Sequence, residues 1–322
     1  MKNIFYLLFC ALGMQTVMAQ QTNEKFIIEE QYLKYLPEQY EDDLEKKWPL
    51  LIFLHGSGER GTDIEKVKVH GPPMLAEKGK QFPFIIISPQ AKTGWDEDVL
   101  YQMITDFIAK NRVDTDRIYL TGLSLGGHGT WNLAQKHPEM FAAIAPICGW
   151  GNVEEAWKLR HMPVWCFHGG LDTVVPVSAS EDMINALKPI NPNVKFTIYP
   201  ETYHDSWIQA YGDSKLYEWF LRQKKYTHKA IDLPLKTLKQ YVGEYDFEMG
   251  NYKTKSMVTI ENGNLIMKTG QRTTTLIPSS EDTFFIDKNQ QTEFKFIKNE
   301  AGNVDKILLY YDELVTIPKS KE

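Results

Sequence analysis

The sequence predicts an α/β fold with a mostly parallel sheet covered by helices on both faces, followed by a small antiparallel β domain. Two patterns carry this prediction. From about residue 31 to 226, short apolar runs alternate with helical patterns, and several runs are apolar at every position, as in strands buried on both faces. After about residue 230, short runs rich in Thr, Tyr, Phe and Ile follow one another without helices between them.

The strands and helices of the first region are predicted from the length of each apolar run and from the spacing of its apolar residues. Continuous apolar runs predict strands at residues 32–36, 49–54, 82–88, 117–120, 141–148, 163–167 and 194–199. Apolar residues at the helical period predict helices at residues 98–111, 125–136, 180–187 and 213–223. The second of these helices ends before Pro138, because the position before a proline disfavours the helical conformation.

The second region reads as strands joined by tight turns. Strands are predicted at residues 241–247, 256–261, 265–268, 283–286, 293–297 and 306–311. Asn262-Gly263 is a strong hairpin signal, and residues 301–303 form a second turn. We therefore predict an α/β domain over 20–226, a linker over 227–234 and a β domain over 235–317.

The N-terminus has the features of a signal peptide. Lys2 supplies a positive charge, residues 4–12 form a short apolar stretch, and residues 17–19 end in Ala19, which favours cleavage before Gln20. The apolar stretch is too short to span a membrane as a helix. We expect residues 1–19 to be removed and the protein to be secreted or periplasmic.

Net charge and cysteine content indicate which binding partners and cofactors to expect. The net charge is −6 and no basic block is present, so we expect neither nucleic acid nor an anionic membrane surface as a partner. Cys148 and Cys166 lie in apolar strand-like runs and are expected to be buried thiols, although one disulfide is an alternative. There is no zinc-type Cys/His spacing and no phosphate-binding glycine loop, so we expect no cofactor and no metal.

The motif that carries chemistry is Gly122-Leu123-Ser124-Leu125-Gly126. It follows one predicted strand and opens the predicted helix at 125–136, which is the strand–turn–helix setting of a nucleophile elbow. Glycines two positions before and after the serine let strand and helix approach closely. We predict Ser124 as a nucleophile, against the alternative of a helix-capping serine.

A serine hydroxyl needs a base, and that base needs an orienting acid. In a nucleophile-elbow fold these groups follow the serine in the order acid, histidine, each after a later strand. His204 follows the strand at 194–199, and Asp172 follows the strand at 163–167 in a glycine-bearing loop. Asp182 and Asp205 are alternatives, but the first falls within a helix and the second adjoins the base itself.

Two backbone N–H groups should stabilise the oxyanion. One belongs to Leu125, directly after the nucleophile. The other should come from the loop His55-Gly56-Ser57-Gly58, where Ser57 is the preferred donor and Gly58 the alternative.

These segments resemble the phospholipase/carboxylesterase and feruloyl-esterase-like branch of the α/β-hydrolases. The resemblance lies in residues 49–63 (PLLIFLHGSGERGTD), 114–152, 165–176 (WCFHGGLDTVVP) and 196–211 (FTIYPETYHDSWIQAY). It implies Ser124, Asp172 and His204 as the triad and Ser57 and Leu125 as oxyanion donors. Residues 235–317 resemble β domains appended to some bacterial serine hydrolases and penicillin-recognising enzymes, which assigns them no role.

The expected function is hydrolysis of a small-molecule or carbohydrate ester. Trp95, Trp150 and Trp207 fall near carboxyl ends of strands and are expected to offer flat faces to a sugar ring or an aromatic acyl group, with core packing as the alternative. The alternative functions are a serine peptidase with the same triad and a catalytically inert carbohydrate- or peptide-binding protein.

Overall fold

The computed structural model describes residues 31–320, so the predicted signal segment lies outside the described residues. The first domain contains a seven-stranded sheet in the order β1-β3-β2-β4-β5-β6-β7. Its strands are β1 (Tyr32–Tyr35), β2 (Trp48–Leu54), β3 (Ile85–Pro89), β4 (Val113–Leu123), β5 (Ala143–Ile147), β6 (Val164–Gly169) and β7 (Val194–Tyr199). All neighbours are parallel except β1 and β3, which confirms the predicted mostly parallel sheet.

Helices cover both faces of this sheet. They are α1 (Gly71–Glu77), α2 (Glu97–Lys110), α3 (Leu125–Lys136), α4 (Ser178–Leu187), α5 (Trp207–Gly212) and α6 (Ser214–Leu221). Successive side chains of β2 point to opposite faces of the sheet. Leu50, Ile52 and Leu54 pack with α2, α3 and α4 on one face, whereas Leu51 and Phe53 pack with α5 and α6 on the other. Because helices cover both faces of the sheet, every position of this strand is buried and apolar.

Some element bounds differ from the sequence prediction. Strand β4 is longer than the predicted 117–120. It begins at Val113, which is buried and pairs with Trp48 of β2, and the polar residues 114–116 continue the strand. Helices α1 and α5 were not predicted. Helix α1 begins Gly71-Pro72-Pro73, a string that reads as a loop although proline is well suited to a first helical turn.

The second domain is an eight-stranded antiparallel sheet in which each strand pairs with the next. Its strands are β8 (Gly243–Met249), β9 (Tyr252–Glu261), β10 (Asn264–Thr269), β11 (Arg272–Pro278), β12 (Thr283–Phe285), β13 (Glu293–Lys298), β14 (Val304–Tyr310) and β15 (Leu314–Pro318). A bridge between Tyr245 and Lys319 brings the first and last strands together, so the sheet is a near-barrel. A short helix, α7 (Leu235–Leu238), precedes it, and buried aromatic rings such as Tyr241 and Phe296 fill its core.

The two domains meet through a buried ion cluster. Glu293 of β13 accepts hydrogen bonds from Arg160 at 2.5 Å and His161 at 2.8 Å, and His228 lies 3.5 Å away. Burial opposes the charge of Glu293, but His161 and Arg160 outweigh it and lower the pKa of this carboxyl to about 2. Since Arg160 and His161 precede β6, the β domain docks at the amino edge of the parallel sheet.

None of the helices within residues 31–320 is long and apolar enough to cross a membrane.

Candidate active site

Ser124 occupies a strained turn between β4 and α3. Its backbone has φ 52° and ψ −114°, a conformation that L-residues rarely adopt. The flanking glycines make the turn possible: a Cβ on Gly126 would lie 2.0 Å from the carbonyl oxygen of Leu54, and one on Gly122 would lie 2.3 Å from the carbonyl oxygen of Gly126. The turn therefore holds the serine hydroxyl at the carboxyl edge of the sheet.

Three side chains form a continuous hydrogen-bonded chain at this edge. The Ser124 Oγ lies 2.8 Å from Nε2 of His204, and Nδ1 of His204 lies 2.7 Å from Oδ2 of Asp172. The carboxylate accepts a hydrogen bond from Nδ1–H, which leaves Nε2 free to accept the serine proton. His204 follows β7 and Asp172 follows β6, so two strand ends bring the predicted residues together.

Asp172 is held as a carboxylate by its own loop. Its Oδ1 accepts hydrogen bonds from the backbone N–H groups of Val174 and Val175, both at 2.9 Å. Burial opposes ionisation, but the hydrogen bonds from His204 and these two N–H groups outweigh it and lower the pKa of the carboxyl. The alternative acids do not contribute: Asp182 lies exposed within α4, and Asp205 is exposed beside His204.

His168 contacts the loop that carries Asp172. It is fully buried, its Nε2–H donates to the carbonyl oxygen of Val175 at 2.9 Å, and its Nδ1 accepts from Ser180 at 2.7 Å. Nε2 also lies 3.2 Å from Oδ2 of Asp172. Burial lowers the pKa of His168, so the imidazole is neutral and acts as a fixed link between the loop and α4.

Cys148 packs directly behind the hydrogen-bonded chain. Its thiol, an Asp172 oxygen and a His204 nitrogen all lie within 4.8 Å of one another, and its backbone has a positive φ of 41°. Burial raises the pKa of this thiol to about 12, so it is protonated at neutral pH. Cys148 and Cys166 are both free and buried, and the disulfide alternative is not formed.

The predicted oxyanion donors begin two helical segments. Leu125 is the first residue of α3, and Ser57 is the first residue of a 3-10 helix at Ser57–Glu59, so neither N–H has an acceptor within its own helix. His55 fixes the second loop. Its Nε2 accepts from the N–H of Ala91 at 3.0 Å, and its Nδ1–H donates to the carbonyl oxygen of Gly56 at 2.6 Å. Burial lowers the pKa of His55 and keeps it neutral in this role.

The three predicted tryptophans have different surroundings. Trp207 meets the catalytic imidazole edge to face, with the ring centres 5.4 Å apart. Trp150 is 37% exposed and stacks on His128 at 4.3 Å. Trp95 instead packs on His55, and its indole N–H donates to the carbonyl oxygen of that residue, which places it behind the oxyanion loop.

Two further residues beside the site, Glu59 and His70, were not predicted from the sequence. Glu59 is buried, and its carboxylate lies 3.7 Å from Nε2 of His70 and 3.9 Å from Nδ1 of His55. The His70 ring in turn packs on Trp207 with ring centres 5.3 Å apart. Nothing in the sequence around Glu59 indicates burial, because its surroundings include residues from distant segments.

Parts of the chain match known proteins. Residues 86–242 match the dienelactone hydrolase family, and residues 227–317 match a domain of unknown function, DUF3471. The chain is 31% identical over 125 residues to cutinase est1 of Thermobifida alba, which covers 35% of this chain and 42% of the relative. It is 31% identical over 137 residues to the bifunctional acetylxylan esterase/xylanase XynS20E of Neocallimastix patriciarum, covering 39% of this chain and 20% of the relative.

A solved thermostable esterase superposes with a TM-score of 0.53 at 30% identity, covering 61% of this chain and 60% of that one. The chain spans less than half the length of the two curated relatives above. The family match at residues 86–242 lies mainly in the first domain.

Proposed function

Since the first domain of this chain is an α/β-hydrolase, we propose that the protein is a serine hydrolase that cleaves carboxylic esters. The observation that carries the proposal is the unbroken hydrogen-bonded chain from the Ser124 hydroxyl through His204 to the buried Asp172 carboxylate. A strained serine, a base within hydrogen-bonding distance of it and a fixed acid are the parts that acyl transfer requires.

In acylation, the Ser124 Oγ attacks the ester carbonyl carbon while its proton moves to Nε2 of His204. The carbonyl oxygen becomes an oxyanion, which the N–H groups of Ser57 and Leu125 stabilise. The tetrahedral intermediate then collapses, the bond to the alcohol breaks, and the imidazolium gives its proton to that alcohol. The acyl group remains as an ester of Ser124.

In deacylation, water takes the place of the alcohol. His204 removes a proton from the water, whose oxygen attacks the acyl carbon, and the second tetrahedral intermediate expels Ser124. The serine regains its proton from Nε2, and a carboxylic acid leaves. Asp172 stays ionised throughout and stabilises the transient imidazolium.

We assign the substrate class to acyl or feruloyl esters of carbohydrates. Trp150 supports this assignment as an exposed flat face, and Trp207 supports it by lying next to the base. The similarity to an acetylxylan esterase/xylanase points in the same direction. A serine peptidase would use the same triad, and an inert carbohydrate- or peptide-binding protein would not need its hydrogen-bonded geometry.

Substrate kinetics test this assignment. We expect kcat/KM on acetyl and feruloyl sugar esters to exceed that on long-chain acyl esters, with no cleavage of peptides. The Ser124→Ala variant, measured in parallel, should turn over none of them. Preference for long acyl chains or cleavage of peptides alone would contradict the substrate class, and full inactivity of the wild-type protein on every ester would contradict the reaction.

Export completes the proposal. The charged start, apolar stretch and Ala19 support removal of residues 1–19 and a secreted or periplasmic mature protein. N-terminal sequencing of the protein from its native host should begin at Gln20. A native protein that begins at Met1 would contradict this proposal.

A further inference from the structure

A cavity of about 120 Å³ opens at one end of the near-barrel in the β domain. Its lining residues come mainly from five strands and lie two apart along them, as inward-facing positions do. Two cross-strand pairs form opposite walls: Met267 faces Thr274, and Phe294 faces Leu309. An eight-stranded barrel leaves an interior of the right width for one small ligand.

The cavity is polar at its rim and apolar at its floor. Met267, Phe294 and Leu309 are buried and form its floor. Arg272 is exposed at the rim, directly across the β10–β11 ladder from Thr269. This arrangement of an apolar floor and a polar rim is the usual make-up of a small-molecule site.

Arg272 is the charged member of the cavity lining, and it forms no ion pair with any other residue in the described part of the chain. A guanidinium group can bind a carboxylate through two parallel hydrogen bonds. A cation at the rim of an apolar cavity selects an anion that carries an apolar body. The volume is close to that of cavities that hold a benzene ring.

We propose that this cavity binds a small aromatic carboxylic acid, with its ring against Met267 and Phe294 and its carboxylate on Arg272. The methionine thioether adapts to a flat ring and attracts its edge. Thr292 and Tyr311 line both this cavity and a cleft of about 320 Å³ between the two domains, so the cavity opens to solvent there. Acids of this class are the products of the proposed ester hydrolysis, but binding requires no catalytic step.

The cavity is separate from the reacting groups. The β domain docks at the amino edge of the parallel sheet through Arg160, whereas Ser124 lies at the carboxyl edge after β4. Binding of the acid and turnover of the ester can therefore be lost independently.

The test is calorimetric titration of ferulate into the full chain. We expect saturable binding, with affinity about tenfold lower for Arg272→Gln, since a charge-assisted bidentate pair is lost. Thr274→Trp should abolish binding because the indole fills the cavity, and an aromatic residue is well tolerated in a strand. Arg222→Gln, on the exposed end of α6, is the matched control and should bind as the wild type does.

Two further arms separate the possible outcomes. Methyl ferulate, titrated into the Ser124→Ala protein so that it is not cleaved, should bind about tenfold more weakly than ferulate because it lacks the charge. Thr274→Trp should retain wild-type ester kinetics, which separates loss of the cavity from loss of the reaction. Absence of saturable ferulate binding, or wild-type affinity in both Arg272→Gln and Thr274→Trp, overturns the proposal whatever the esterase assay gives.

Discussion

At the scale of single residues, the hydrogen bonds around Asp172 explain why this carboxylate, and not a neighbour in sequence, orients the base. One oxygen is held by two backbone N–H groups and the other faces Nδ1 of His204 at 2.7 Å. The order of motifs along the chain was enough to predict Ser124, Asp172 and His204. The burial of Cys148 was predicted, but its place next to Asp172 and His204 and the burial of Glu59 were not, because both depend on contacts between distant segments.

Asp172→Asn should lower kcat/KM on a simple aryl acetate on the order of 10³- to 10⁴-fold, because an amide no longer stabilises the imidazolium or holds its tautomer. The matched control is Asp205→Asn, which alters an exposed carboxylate beside the same histidine and should stay close to wild type. Steady-state kinetics of both variants check this. An equal or larger loss in Asp205→Asn would identify the wrong acid.

At the scale of secondary-structure elements, the site depends on how closely β4, α3 and β2 approach one another. The glycines of the elbow allow this approach, since their missing Cβ atoms would meet backbone atoms of neighbouring elements. The G-x-S-x-G pattern therefore predicted the strand–turn–helix unit correctly. Strand β11 was not predicted, because its Thr-rich start lacks apolar alternation, and β15 was not predicted, because it is short and ends at Pro318.

Gly126→Ala should destabilise the catalytic domain by more than about 3 kcal/mol, because the new Cβ would lie 2.0 Å from the carbonyl oxygen of Leu54 and neither backbone can give way. Gly94→Ala is the matched control, since a Cβ there meets nothing within 4 Å. Urea unfolding monitored by circular dichroism measures both. Equal stability of the two variants would mean that the elbow is not packed as described.

At the scale of the whole molecule, the ion cluster around Glu293 joins the two domains. Its members come from distant parts of the chain: Arg160 and Glu293, which share a hydrogen bond, are 133 residues apart. The sequence around each of these residues has no pattern that indicates an ion pair. Composition and the spacing of apolar residues therefore predicted two domains, but not the contact between them. The division of the chain into an α/β and a β part was readable because the period of the apolar pattern changes near residue 230.

Glu293 should make stability depend on pH in acid. The pKa of its carboxyl is about 2 in the folded protein and about 4.5 when exposed, so its contribution is complete above about 4.5 and is lost as pH falls from there towards 2. The loss is on the order of 3 kcal/mol. Urea unfolding at a series of pH values should give a shallower acid slope for Glu293→Gln than for wild type.

The exposed Glu313→Gln is the matched control and should keep the wild-type slope. Glu293→Gln should also lower stability at neutral pH, because Arg160 remains buried beside an uncharged partner. An unchanged acid slope in Glu293→Gln would contradict the role of this cluster.

The central claim is that Ser124 is the nucleophile, and covalent labelling with a fluorophosphonate tests it most directly. Such a reagent phosphonylates only a serine whose proton a neighbouring base removes, here through Nε2 of His204 at 2.8 Å. Intact-mass and peptide analysis should find one label per wild-type chain, on Ser124, and none on Ser124→Ala, which should unfold in urea as the wild type does. Labelling of Ser124→Ala at the wild-type rate, or a wild-type chain that is folded and not labelled, would contradict the account.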